Sequence, residues 1–199
     1  MKVLSIGNSF STDAQRWLHG IAEADGTELF CQNLYIGGCS LELHERNRAG
    51  NLAAYDLEEN GIRTERKISI RDALQSHAWD VVTLQQASRF AGFAETFEPY
   101  LTSLIEEIRT YAPKAEILLH ATWSFESGAS IPSYEAYHFS QKEMTETIGR
   151  ANRRYEKEKG LRLIPVGDAV AYVRENIPAF QYEKGGLSLN RDGRHLSYL

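Results

Sequence analysis

The chain has 199 residues, 42% hydrophobic and 25% charged, with 22 basic and 27 acidic side chains for a formal net charge of −5. That length fits a single domain over residues 1–199, able to bury roughly 70% of its unfolded surface without a metal or disulfide. The acidic balance excludes nucleic acid as a partner, two cysteines (Cys31 and Cys39) exclude a disulfide scaffold, and the lack of about 18 consecutive apolar residues excludes a membrane-spanning helix.

One lysine before the apolar run Val3–Ile6 does not make a signal peptide. The sequence as written reads as cytoplasmic. A secreted or periplasmic protein whose leader had been removed would read the same.

In chain order, KVLSI is a first strand. STDAQRWLHGIAEADG is a helix, with Trp17, Leu18, Ile21 and Ala22 at helical spacing and Gly26 at its C-terminal end. TELFCQNLYI is a second strand and buries Cys31. SLELHERNRAGNLAAYD is helical in part, broken at Gly50; RTERKISI is a short extended excursion and SIRDALQSH a short helix. WDVVTLQQ is a third strand, and TFEPYLTSLIEEIRTYAP the clearest helix. AEILLHATW is a fourth strand, followed by a loop from Ser124 to Tyr137. SQKEMTETIGRANRRYEKEKG is a long helix ended by Gly160, its Arg150, Arg153 and Arg154 on a solvated face. LRLIPVG is a fifth strand, DAVAYVRENIPAF a helix capped by Asp168, and QYEKGGLSLNRDGRHLSYL a loop-like tail.

Five strands alternating with helices imply a three-layer α/β/α sandwich around a five-stranded parallel sheet, flavodoxin-like in plan. Ligands of such folds sit at the carboxyl ends of the strands. Ser9 follows the first strand, where it is either a nucleophile or a helix N-cap, a task Ser11 or Asp13 could share. Gly37-Gly38 follows the second strand, as a tight turn or a close backbone approach to substrate. Gln85-Gln86 ends the third, as solvated polar residues or as amide donors to an oxyanion. In the tail, Asp192 precedes His195 by three residues. A carboxylate so placed orients an imidazole that takes a proton from a hydroxyl.

These residues fall in the order Ser, Gly, amide, Asp-x-x-His, and on them the chain resembles the SGNH hydrolases, also called GDSL-like esterases and lipases, in an uncharacterised bacterial branch. GNSFS matches the family's first block with Asn8 in place of the usual aspartate. NLYIGGCSL matches the second, with Gly38 preferred and Gly37 the alternative. LQQAS departs from the third block, Gly-x-Asn-Asp, so that a glutamine has to serve: Gln86 rather than Gln85. DGRHLS matches the last block as Asp192 and His195. The resemblance covers nearly the whole chain. The family continues into a helix after the last block, whereas four residues follow His195 here (199 − 195), so the chain reads as truncated and its tail as poorly held.

The resemblance implies an SGNH hydrolase fold and a serine esterase. Ser9 is the nucleophile, His195 the base, Asp192 its orienting carboxylate, and Gly38 and Gln86 the oxyanion donors, with no cofactor or metal. The substrate is a small-molecule or glycan ester. The aromatic loop around Trp123, with Phe125, Tyr134, Tyr137, His138 and Phe139, suits stacking on a sugar or packing against helices. The first use makes Trp123 a substrate-binding residue and points to an O-acetyl group on a carbohydrate. His44 and His120 read as structural or surface residues. Two other functions fit the same residues: a non-catalytic ligand-binding module, favoured by the irregular third block and the short tail, and an acyltransferase. The sequence leaves oligomeric state open.

Overall fold

Val3, Leu4 and Ile6 are buried along β1 (Lys2–Gly7), the strand from which the sheet is built outward in both directions. The structure is a computed structural model and describes residues 1–197. The chain divides into two compact units, Met1–Ala87 with Glu95–Leu119, and Ser88–Ala94 with His120–Leu199.

In the first unit β1 pairs in parallel with β2 (Phe30–Tyr35) on one side and with β5 (Val81–Leu84) on the other. β5 pairs in parallel with β6 (Glu116–His120). Beyond β2 lie two antiparallel strands, β3 (Tyr55–Glu59) and β4 (Ile62–Ile68), giving the order β4-β3-β2-β1-β5-β6. The expected α/β class and flanking helices hold. The sheet has seven strands rather than five, however, and is mostly rather than wholly parallel. The β3–β4 hairpin accounts for the difference. Its turn is Asn60-Gly61, both left-handed (φ 49° and 79°), which is the pairing that two-residue hairpin turns select. β4 is mostly exposed and charged, as a blunted sheet edge should be.

The first helical segment is two helices, α1 (Ser9–Gln15) and α2 (Leu18–Ala24), parted at Arg16-Trp17. α2 buries none of its residues, and Trp17 and Ile21, for all their helical spacing, are 56% and 64% exposed. Gly26 does end it in a left-handed turn. α1 lies over an unusually polar face: its Gln15 Nε2 donates to Ser5 Oγ over 2.6 Å, and its Ser11 hydroxyl meets Asn33 Oδ1 at 2.7 Å. Helices α3 (Leu41–Ala49), α4 (Ile70–Ser76) and α5 (Tyr100–Tyr111) pack against one another, with Leu101, Leu104, Ile105 and Ile108 of α5 buried. Cys31 and Cys39 are both buried and are not joined in a disulfide.

In the second unit the end of β6 runs beside β7 (Arg162–Ile164), with the Ala121 N–H donating to Ile164 O. Two helices follow the expected segments, α6 (Gln141–Lys159) and α7 (Val166–Asn176). Asp168 is not the cap of α7, whose N-cap is Pro165; it lies in the first turn and pairs with Arg153. As far as Ser197 the tail is held by hydrogen bonds. Arg191 N–H donates to His195 O (3.0 Å), Ser197 N–H to Leu189 O (2.7 Å), and Arg174 grips Asn190 Oδ1 at 2.6 Å. The expected truncation after Leu199 falls outside the described residues. Among those residues no helix is long and apolar enough to cross a membrane.

Candidate active site

Registry at the sheet's carboxyl edge sets the first group of residues. Gly7 pairs with Tyr35, and Ile6 with Leu84. The chain therefore leaves β1 at Asn8-Ser9, β2 at Ile36-Gly37-Gly38 and β5 at Gln85-Gln86 as three adjacent loops. Asn8, not Ser9, caps α1: its Oδ1 accepts the Phe10 N–H at 3.0 Å, and Ser11 completes a capping box. Ser9 is the first residue of the helix, half-buried, with its side chain released from capping. The same Asn8 side chain donates from Nδ2 to Cys39 O (3.0 Å) and accepts from Gln85 Nε2 (2.7 Å). One buried carboxamide thus ties all three loops together. Its role was not legible in the sequence, although asparagine is among the strongest N-cap residues and stood beside the serine.

Of the two glycines after β2, Gly38 has φ 62° and sits third in a turn closed by the Cys39 N–H on Ile36 O at 3.1 Å. A side chain there is strained, and the turn does not consume the Gly38 N–H. Gly37 is exposed and has an ordinary backbone.

The glutamines divide differently from expectation. Gln86 has both ends of its carboxamide engaged. Its Oε1 accepts from the Leu41 N–H (3.0 Å) and the Ala87 N–H (2.8 Å), and its Nε2 donates to Thr96 O (2.9 Å) and Oγ1 (3.1 Å). As placed it has no N–H to offer an oxyanion. Gln85 uses one N–H on Asn8 and keeps the other, and its buried Oε1 has no partner.

The second group lies in a single turn. Asp192 Oδ2 accepts from His195 Nδ1 at 2.6 Å, while Oδ1 accepts the backbone N–H groups of Arg194 (3.0 Å) and His195 (2.7 Å). Burial alone would raise the Asp192 pKa; those hydrogen bonds outweigh it and hold the carboxyl down at about 2. Gly193, at φ 74°, lets the turn close where a Cβ would lie 2.7 Å from that of Ala129. The turn is anchored from outside by Glu126 N–H on Gly193 O (2.8 Å) and by Trp123 Nε1 on Arg194 O (2.8 Å). Trp123 is fully buried, as are Phe125, Tyr134 and Tyr137. The stacking role expected for Trp123 is therefore corrected to a supporting one, because no ring face is open to a sugar. Of that loop's rings only Phe139 and His138 are exposed.

His44 and His120 are buried and structural, their pKa values pushed down by burial to about 3 and about 4. Among the described residues no group of three His, Cys, Asp or Glu could hold a metal ion.

Solved structures of the SGNH hydrolase class share this fold. A candidate SGNH hydrolase from Slackia heliotrinireducens is 21% identical with a TM-score of 0.65, over 99% of this chain and 90% of that one. A catalytic mutant of an acetylxylan esterase from Geobacillus stearothermophilus is 15% identical with a TM-score of 0.61, over 98% and 86%. The chain itself belongs to the DUF4886 family, described as a domain of unknown function, which matches residues 2–199. A crystallised DUF4886 family protein from Bacteroides uniformis is 33% identical with a TM-score of 0.90, over 99% of this chain and 76% of that one. No curated protein matches.

Proposed function

We propose that the protein is a serine esterase that removes a small acyl group, an O-acetyl ester of a carbohydrate, through an acyl-serine intermediate. The observation that carries this reading is the Asp192–His195 pair. A 2.6 Å bond to Nδ1, with the other carboxylate oxygen locked by two backbone N–H groups, fixes the imidazole's tautomer and orientation. Such an arrangement serves a base that must present Nε2 to a hydroxyl.

Ser9 Oγ attacks the ester carbonyl and His195 takes its proton. The tetrahedral oxyanion is held by the N–H groups of Ser9 and Gly38, with the uncommitted N–H of Gln85 taking the part first assigned to Gln86. His195 then protonates the departing alcohol. Water attacks the acyl-serine with His195 again as base, releasing the acid. The structural neighbours named as acetylxylan esterases support the acyl group and the carbohydrate.

A fluorophosphonate probe tests the chemistry: it labels Ser9 in the wild type and nothing in Ser9→Ala. A panel of p-nitrophenyl acyl esters and acetylated sugars, run on both proteins, reads the acyl preference. Absence of labelling and of hydrolysis would leave the second reading, a non-catalytic binding module, which the fully engaged Gln86 carboxamide favours.

A further inference from the structure

The second unit contains a cavity of about 430 Å³ that the esterase reading does not use, bordered by the start of α6, by α7 and by the segment around Tyr182. Its volume is that of a small-molecule cleft, about 300–1,000 Å³. Two of its lining groups are charges withdrawn from solvent, Glu126 buried and Arg174 half-buried. Glu126 is 9% exposed; one of its oxygens accepts the Ser188 hydroxyl, and its charge acts on that of Arg174. The Arg174 guanidinium is held by Ser124 O (3.2 Å), Ser124 Oγ (2.9 Å) and Asn190 Oδ1 (2.6 Å). Burial lowers its pKa to about 10, so it remains charged. The Nδ2 of Asn190 is buried and unpartnered.

Charge on the lining cancels, with Glu126, Glu175 and Glu183 against Lys142, Arg174 and Lys184. An ionic ligand would meet as many like charges as opposite ones. A neutral polyol would not, since each hydroxyl donates to a carboxylate and accepts from a cation. Two rings also border the cavity, Phe139 (54% exposed) and Tyr182 (49%). Phe139 follows His138 in a second consecutive left-handed conformation (φ 51° and 54°), a backbone that a bulky side chain rarely adopts and that concentrates at ligand clamps.

We propose that this cavity binds a neutral saccharide unit. In holding the sugar chain that bears the ester it rests on the esterase reading, but the binding step itself needs no turnover.

Titration calorimetry on the full chain with unacylated xylo-, cello- and chito-oligosaccharides is expected to show at least one neutral sugar binding at about 1 mM or tighter. Tyr182→Ala and Glu126→Gln should each weaken it about tenfold or more, with melting temperature showing that both variants are folded. Anionic oligogalacturonides and cationic chitosan oligomers should bind more weakly. The proposal is overturned if no neutral sugar binds at millimolar concentration, if a charged oligomer binds as well, or if both variants bind like the wild type. Sugar binding without fluorophosphonate labelling would keep the cavity assignment and sink the esterase. Labelling without sugar binding would do the reverse.

Discussion

Gln85 Nε2 donates to Asn8 Oδ1 over 2.7 Å, joining the residue before the candidate nucleophile to the end of β5. Both residues mark departures from the SGNH block pattern, one standing for an aspartate and one in a block without its asparagine. The structure makes each departure the partner of the other. Asn8 has to donate as well as accept, because Cys39 O lies 3.0 Å from its Nδ2. An aspartate there would keep the bonds from Phe10 and Gln85 and set a carboxylate oxygen against the Cys39 carbonyl. Asn8→Asp should therefore cost about 1–3 kcal/mol of stability, read from the denaturant midpoint. An unchanged midpoint would mean the three loops do not depend on this bond.

The two glutamines should separate stability from activity. Gln86→Ala strips partners from the buried Leu41 and Ala87 N–H groups and from the half-buried Thr96. It is expected to destabilise the fold by about 1–3 kcal/mol for each buried group left unsatisfied. Gln85→Ala should lower kcat for ester hydrolysis by about 10²–10³, the usual cost of one oxyanion donor. Kinetics and thermal melting on the two variants decide the assignment; a kcat loss confined to Gln86→Ala would restore the first choice.

The sequence made the parallel core legible because apolar runs, glycine ends and helical periodicity are local signals. Gly26 and Gly160, both left-handed and at helix ends, were read from position alone. The hairpin was not, although Asn60-Gly61 announced it, because β4 is charged and exposed and offers no alternating pattern. The spacing of Trp17, Leu18 and Ile21 correctly implied a helix but could not say that these three side chains stay exposed to solvent. Choosing between Gln85 and Gln86 was beyond the sequence for a different reason. What distinguishes them is contact with Leu41 and Thr96 in one case and with Asn8 in the other, and such contacts exist only after folding. Likewise the aromatic character of Trp123 was visible, but its bond to Arg194 O, 71 positions away, was not.

The glycine that opens the Gly-x-Ser element has a steric reason. A Cβ on Gly7 would lie 2.3 Å from Ser11 Oγ and 3.2 Å from Gln85 Cδ. Ser11 cannot swing away cheaply, since its hydroxyl accepts the Asn8 N–H and meets Asn33 Oδ1. Gly7→Ala should cost about 1–3 kcal/mol through overpacking and reduce Ser9 labelling more than stability alone explains. A variant with wild-type melting and labelling would show that the loop has slack.

Acid should loosen the histidine turn over a defined range. The Asp192 carboxyl titrates at about 2 in the folded chain against an ordinary 3.8. A depressed carboxylate stabilises the fold fully above its unfolded pKa and loses that contribution as the pH falls through the folded one. The turn's contribution is therefore complete above about pH 4 and disappears between there and about pH 2. Half-exposure of the side chain keeps its size small. Carboxyl chemical shifts followed against pH should place the Asp192 midpoint well below 3.8, and Asp192→Asn should remove that titration. A midpoint at the ordinary value would mean that the bonds to His195 do not persist in solution.

Trp123 supplies the last test because its fully buried ring touches the turn and presents no open face. Its indole N–H on Arg194 O reaches the turn's third residue from the buried aromatic cluster, where Phe125 also lies under the Arg194 guanidinium. Phenylalanine would keep most of the ring in place and lose that donor, at a cost of about 1 kcal/mol for the hydrogen bond and more for the smaller ring. If Trp123 acts by holding Asp192 and His195 in register, Trp123→Phe lowers kcat while leaving KM for a small ester near its wild-type value, and slows fluorophosphonate labelling in parallel. If a sugar instead stacks on it, KM for acetylated saccharides rises and kcat for p-nitrophenyl acetate is spared. Full burial of the ring argues for the first outcome.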